Sequence, residues 1–194
     1  MTSEAIMFAG VEISSGRKPV TFTRLDEELN IQALEKWDSA DTLSYVQEYE
    51  NSLLAINAPS TKQGQAVYAD LTKKLAQAGF EPFSPKRQSK QWLETKTQDC
   101  FHILSGHSLL PRRSLEGRLQ RGAILYEQGI QIKDPVDMFE EITRFKLIQG
   151  ILPLEELPSS HELDALMAAY LAWMSLNRPG QIVPKGEFVL PAEE

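Results

Sequence analysis

His161, Glu162 and Asp164 sit in the opening turns of a segment, Ser159-Ser160-His161-Glu162-Leu163-Asp164-Ala165-Leu166-Met167-Ala168-Ala169-Tyr170, that is otherwise apolar and rich in alanine. Carboxylates beside an imidazole can move protons or hold a hard cation. Ser159-x-x-Glu162 has the spacing of a capping box, so Ser159, Ser160 and Glu162 are explained by the start of a helix. Asp164 lies beyond the cap, where the favourable helix dipole is fading. The alanines at 165, 168 and 169 suit close packing of the helix on a sheet, an odd place for a carboxylate without a task. His161 is three residues earlier on the same helix face. Three roles stay open for it: orienting Asp164, acting as a general acid or base, or standing partly exposed with none.

Two further polar residues end apolar runs. Glu12 closes Ile6–Ile13 (IMFAGVEI), where it either emerges into solvent or lies at the carboxyl end of a central strand, the place where α/β sheets bind ligands. Asn57 closes Leu53-Leu54-Ala55-Ile56 in the same way. Organising the Asn57-Ala58-Pro59 turn is its simpler reading, since Asn bonds nearby backbone readily and its neutral carbonyl is a weaker ligand for a hard cation than a carboxylate.

The elements that must position these residues follow from the pattern. Ile6–Ile13 and the β-branched run Val20–Leu25 read as strands joined in a hairpin around Ser14–Pro19. Asn30–Trp37 is expected as a third strand, and Ser39 to Asn51 as a helix with one buried side. Leu53–Ile56 reads as a strand covered on both faces, stopped by proline. A helical block follows: Ala66–Ala78 before Gly79, Lys90–Leu104 before Gly106, Leu115–Gln128 before Gly129 and Pro135–Ile148 before Gly150. The last helix is expected from His161 to Leu176, with Arg178-Pro179-Gly180 ending it, then a closing strand pair or edge over Gln181–Leu190 and a loose tail. Three strands, a crossover helix and a buried strand point to an α/β fold with a mixed sheet and helices on both faces.

The bulk numbers fit this. At 194 residues, 42% hydrophobic and 24% charged, the chain has the size and composition of one globular domain. The lone Cys100 cannot form an internal disulfide, so a reducing compartment is the default. Met1-Thr2-Ser3-Glu4 has no basic leader region, the apolar run to Val11 is too short for a signal peptide, and no stretch is long enough to span a bilayer. The expectation is a soluble, cytoplasmic protein with no membrane partner; the sequence leaves its oligomeric state open. A net charge of −7 argues against broad non-specific binding to nucleic acid. Charge is uneven, however: Pro85–Arg121 carries +5 and the remainder −12. Lys86, Arg87, Arg112, Arg113 and Arg118 are therefore candidates for a local nucleic-acid-binding surface, with a merely solvated helical surface as the alternative. A nucleotide-binding phosphotransferase is disfavoured, because Gly64, Gly79, Gly106 and Gly129 stand isolated rather than in a phosphate loop.

Taken in order, these pieces resemble domain-of-unknown-function family 429, whose members look like ribonuclease H-like proteins related to Holliday-junction resolvases. The resemblance spans most of the chain. It is carried by Ala9-Gly10-Val11-Glu12, similar to a Gly-x-Asp first strand, and by Ala55-Ile56-Asn57-Ala58-Pro59, similar to an Asp-x-Pro motif. It is carried also by His161-Glu162-Leu163-Asp164-Ala165-Leu166, similar to a His-x-x-Asp-Ala helix, and by the closing Gly180–Pro184 and Phe188–Pro191. More weakly, Val136-Asp137-Met138-Phe139 is similar to an acidic strand of the family. The resemblance implies a single ribonuclease H-like domain over 1–194, with a central mixed five-stranded sheet and a helical insertion over roughly 62–150. It implies a metal-dependent nuclease in which Glu12, Asn57 and Asp164 form the acidic centre, with His161 beside them and Glu162 or Asp137 as auxiliary acids. Such a centre holds one or two Mg²⁺ or Mn²⁺ ions for phosphodiester hydrolysis. Here Glu stands for Asp at 12, lengthening the arm, and Asn for Asp at 57, removing a charge. The alternative is therefore a degenerate ribonuclease H-like protein that kept the fold for binding or regulation.

Overall fold

The computed structural model describes residues 6–13, 20–37, 44, 46, 48–49, 51–57, 59, 61–84, 89–141, 143–144, 148–150, 157–185 and 188–192. Its centre is a mixed six-stranded sheet of β1 (Met7–Glu12), β2 (Val20–Leu25), β3 (Ile31–Trp37), β4 (Ser52–Asn57), β5 (Glu81–Pro82) and β6 (Lys90–Thr95), in the order β3-β2-β1-β4-β6-β5. β1, β4, β6 and β5 run parallel, and β2 is antiparallel to both its neighbours. Every residue of β1 and β4 is buried, which their unbroken apolar runs require of central strands. Among the described residues there are five α-helices: α1 (Lys62–Gln77), α2 (Thr97–Ser105), α3 (Leu115–Glu127), α4 (Pro135–Glu141) and α5 (Ser160–Asn177). The fold is α/β.

Strand alternation sorts the core into two layers. Met7, Ala9, Val11, Phe22, Leu54 and Ile56 pack with Leu71 and Leu75 of α1. Phe8, Leu25, Leu53, Ala55 and Leu93 point the other way and pack with α5, α2 and α3. Gly10 belongs to this second face and is what lets α5 lie against the sheet. A Cβ at Gly10 would fall 2.1 Å from the carbonyl oxygen of Ala165 and 2.5 Å from the amide nitrogen of Ala169. The absence of a side chain here is therefore a requirement of close backbone approach.

The structure departs from the sequence expectations in four places. The sheet has six strands rather than five. Lys90–Leu104 is not one helix: Lys90–Thr95 is β6, in which Gln91, Leu93 and Thr95 alternate inward with period two, and Thr97 opens α2. Buried polar residues at two of those positions hid a strand period from a hydrophobicity count. The expected 62–150 insertion consequently gives β5 and β6 to the central sheet, so only its later part, α2–α4, is a helical addition. Finally, β7 (Ile182–Lys185) and β8 (Phe188–Pro191) do form the expected closing pair, as a two-stranded sheet of their own, but the start of the tail expected to be loose is tied back by the Ala192 amide, which donates to the Gln181 carbonyl at 2.8 Å. α4 is described over Pro135–Glu141, Thr143 and Arg144 beyond it lie in a wider helical turn, and Ile148 lies in a turn. The helix expected from Ser39 lies largely outside the described residues.

Candidate functional site

The register across the sheet builds one side of the site. Glu12 pairs with Thr21 on β2 and with Asn57 on β4, and Asn57 pairs with Thr95 on β6. Thr21, Glu12, Asn57 and Thr95 thus form a polar row along the α5 side of four strands, and all four are buried. Glu12 and Asn57 stand at the carboxyl ends of parallel strands, where chain direction leaves room for a site. Asn57 is not a turn organiser. Its Oδ1 accepts from the backbone N–H of Thr97 at 3.0 Å, which aims its Nδ2 at Glu12, where it donates to Oε2. An Asn held this way offers the site a donor, not a ligand oxygen.

The other side comes from α5. Ser159 and Glu162 form the expected capping box: the Ser159 hydroxyl accepts from the Glu162 N–H at 3.3 Å, and Glu162 Oε2 accepts from the Ser159 N–H at 2.6 Å. Glu162 is therefore spent on its own helix. Asp164, 1% exposed, faces the sheet beside Glu12. Its Oδ1 accepts from Gln98 Nε2 at 2.7 Å, and its Oδ2 accepts from Arg112 Nη2. The same Nη2 stands 3.7 Å from Glu12 Oε1 and 3.4 Å from His161 Nδ1, while His161 Nδ1 is 3.5 Å from Glu12 Oε1. Glu12, Asn57, His161 and Asp164 are thus brought together. Asp137 is not: it is exposed on α4.

Arg112, a candidate nucleic-acid contact in the sequence, instead stands among the acids. It lies in the segment between α2 and α3, which is strapped onto α3. Leu110 N–H donates to Gln120 Oε1 at 2.7 Å, and buried Arg121 donates through Nη1 to the carbonyls of Leu110 at 3.0 Å and Gly117 at 2.9 Å. Gly117 is packed so tightly that a Cβ would fall 2.0 Å from the Pro111 carbonyl oxygen. Arg121 Nη2 also donates to Gln98 Oε1 at 2.7 Å, so the Gln98 amide is oriented with its N–H toward Asp164. A signal for Arg121 was present: Gly117, Arg121 and Leu125 are spaced by one helical turn and all three are buried.

Burial pushes the Asp164 carboxyl up from 3.8 to about 6; the neighbouring Glu12 charge adds to the rise, and Arg112 opposes it. Two buried acids side by side therefore share one guanidinium, and the compensation is incomplete.

Of the three basic candidates among the described residues, two turn inward. Arg112 serves the acids. Arg118 donates through Nε to the Pro158 carbonyl at 2.9 Å and through Nη2 to that of Leu157, fixing the chain that enters α5. Arg113 is exposed, and Lys86 and Arg87 lie outside the described residues.

With Arg112 in place, the carboxylate oxygens are already engaged, which does not fit the divalent ion that the family resemblance implies. Each oxygen of Asp164 accepts from the protein, Glu12 Oε2 accepts from Asn57, and Glu12 Oε1 faces Arg112 and His161. Among the described residues, no three His, Cys, Asp or Glu side chains gather in a group able to hold a metal. Nor is any helix among them long and apolar enough to cross a membrane. The chain matches no model of a known protein family, and no curated protein matches it.

Proposed function

We propose that this is a ribonuclease H-like protein whose acidic centre is neutralised from within, and that it works by binding or regulation rather than hydrolysis. The fold part is supported by the sheet order β3-β2-β1-β4-β6-β5 with β2 antiparallel to β1, and by acids contributed from the end of β1 and from the last long helix. It agrees with the likeness to domain-of-unknown-function family 429. The functional part rests on one observation: the Arg112 guanidinium sits among Glu12, Asp164 and His161, the position that a hydrolase of this type gives to a cation. Under this reading the protein has no metal cofactor and resides in a reducing, cytoplasmic environment. Exposed Arg113, next to Arg112 in sequence, is free of these inward roles and available to an anionic partner.

Mn²⁺ titration of the purified protein, followed by calorimetry, tests this alongside a cleavage screen on branched and linear DNA and on RNA. No saturable binding and no cleavage are expected. A specific observation keeps a second reading, the metal-dependent nuclease, in play: Glu12 and Asp164 do lie on facing elements around one point. Tight Mn²⁺ binding and strand cleavage, both lost in Asp164→Asn with folding intact, would put that reading first. Its ligands would be Glu12 and Asp164, with His161 placed to handle a proton.

A further inference from the structure

Arg112 Nη2 is surrounded by acceptors from two elements, α5 and the end of β1. Asp164 Oδ2 accepts from it, Glu12 Oε1 lies at 3.7 Å, His161 Nδ1 at 3.4 Å and the Ser160 carbonyl oxygen at 3.5 Å. Two of these groups are carboxylates whose side chains are each 1% exposed. Like charges so close and so dry repel, and each disfavours the ionised form of the other. The guanidinium is placed for charge more than for hydrogen bonding, because its Nε is buried without a partner. An arginine seated for its planar fork would be expected to spend that donor.

We infer that Arg112 is a resident cation in a latent divalent-ion site, standing in for the ion and excluding it. The four atoms around Nη2 are two carboxylate oxygens, a carbonyl oxygen and an imidazole nitrogen, a donor set that suits Mn²⁺. What they lack is room, because a guanidinium nitrogen fills the centre, and Glu12 Oε1, His161 Nδ1 and the Ser160 carbonyl oxygen stand 3.4–3.7 Å from it, well beyond the ~2.0–2.3 Å typical of such metal bonds. Truncating Arg112 removes the occupant and leaves the negative charge uncompensated. A divalent ion then satisfies what the guanidinium satisfied. The inference rests on the reading of the wild-type centre as metal-free.

The experiment is thermal unfolding of wild type, Arg112→Ala and Arg112→Ala/Asp164→Asn, each with EDTA and with millimolar Mn²⁺. The expected result is a wild-type midpoint indifferent to Mn²⁺, an Arg112→Ala midpoint lowered in EDTA and raised by Mn²⁺ by several degrees, and a double variant that has lost the response. If Arg112→Ala fails to fold in EDTA, its refolded yield from urea makes the same decision: recovery with Mn²⁺ supports the inference, and no recovery overturns it. A folded Arg112→Ala that ignores Mn²⁺, beside an indifferent wild type, overturns the inference and leaves the proposed function standing. A wild type that Mn²⁺ stabilises overturns both.

Discussion

The longest described helices on the two faces of the sheet, α1 on one and α5 on the other, are built on opposite plans. α1 is amphipathic: only Gly64, Leu71 and Leu75 are buried, and its exposed side carries pairs such as Lys74–Asp70. α5 has thirteen buried residues among its eighteen, with an apolar surface nearly all round. The polar exceptions on α1 face water and cost little. The one buried charge on α5, Asp164, is sealed against a strand that carries Glu12. The comparison teaches where chemistry can be read in this molecule: a charge on the α1 side is ordinary solvation, whereas a charge on the α5 side must be answered by another side chain.

The largest expected break in that contrast is Gly10→Val. The added side chain would overlap α5 backbone at Ala165 and Ala169, which cannot swing aside, so a loss of more than about 4 kcal/mol is expected in urea unfolding. A loss under about 1 kcal/mol would mean that α5 does not rest on β1 as described. On the other face, Leu71→Ala removes a fully buried side chain beneath α1 and should cost about 3 kcal/mol, with an unchanged denaturant slope and no effect on the acidic site.

The electrostatic prediction sharpens the same contrast. Asp164 holds its proton more tightly folded than unfolded, about 6 against 3.8. Its contribution to stability is therefore full below about pH 4 and is lost as pH rises through 6, a change of the order of 3 kcal/mol if it acted alone. Urea midpoints measured from pH 4 to 8 should fall less steeply in Asp164→Asn than in wild type; parallel profiles would refute a buried, proton-avid Asp164. The smallest effect lies at the helix starts. Ser159→Ala on α5 and Thr61→Ala on α1 each remove a side-chain cap, so each should cost about 1 kcal/mol despite the difference in burial. A markedly larger loss at Ser159 would show that the α5 cap also holds the acids in place.

Much of the frame was legible in the sequence because its signals are local. β1 to β4 showed as apolar or β-branched runs, α1 and α3 as periodic stretches before a glycine, and the α5 start as Ser159-x-x-Glu162. β6 was not legible, since Gln91 and Thr95 fill inward positions where apolar residues mark a strand. The acidic half of the site was legible as exceptions within apolar runs, and Glu12, Asn57, His161 and Asp164 do meet. Its basic half was not. Arg112, Arg118 and Arg121 lie in a segment whose composition suggests a charged surface, and only the fold of the 106–114 connection turns them inward. Asn57 shows the same limit: its type was plain, but which end of its amide faces Glu12 is decided by a backbone N–H forty residues away.

The rest of α5 on Gly10 has a consequence for how the chain matures. β1 precedes α5 by well over half of the sequence, yet α5 is the main cover of the central strand on that face. Until α5 emerges, Phe8, Gly10 and Glu12 face solvent or a chaperone, and the nascent chain cannot bank its most buried layer piece by piece. Synthesis must pass Asn177 before α5 can close that face, so a pause or premature stop before residue 160 leaves β1 without its main cover and Glu12 without Asp164 beside it.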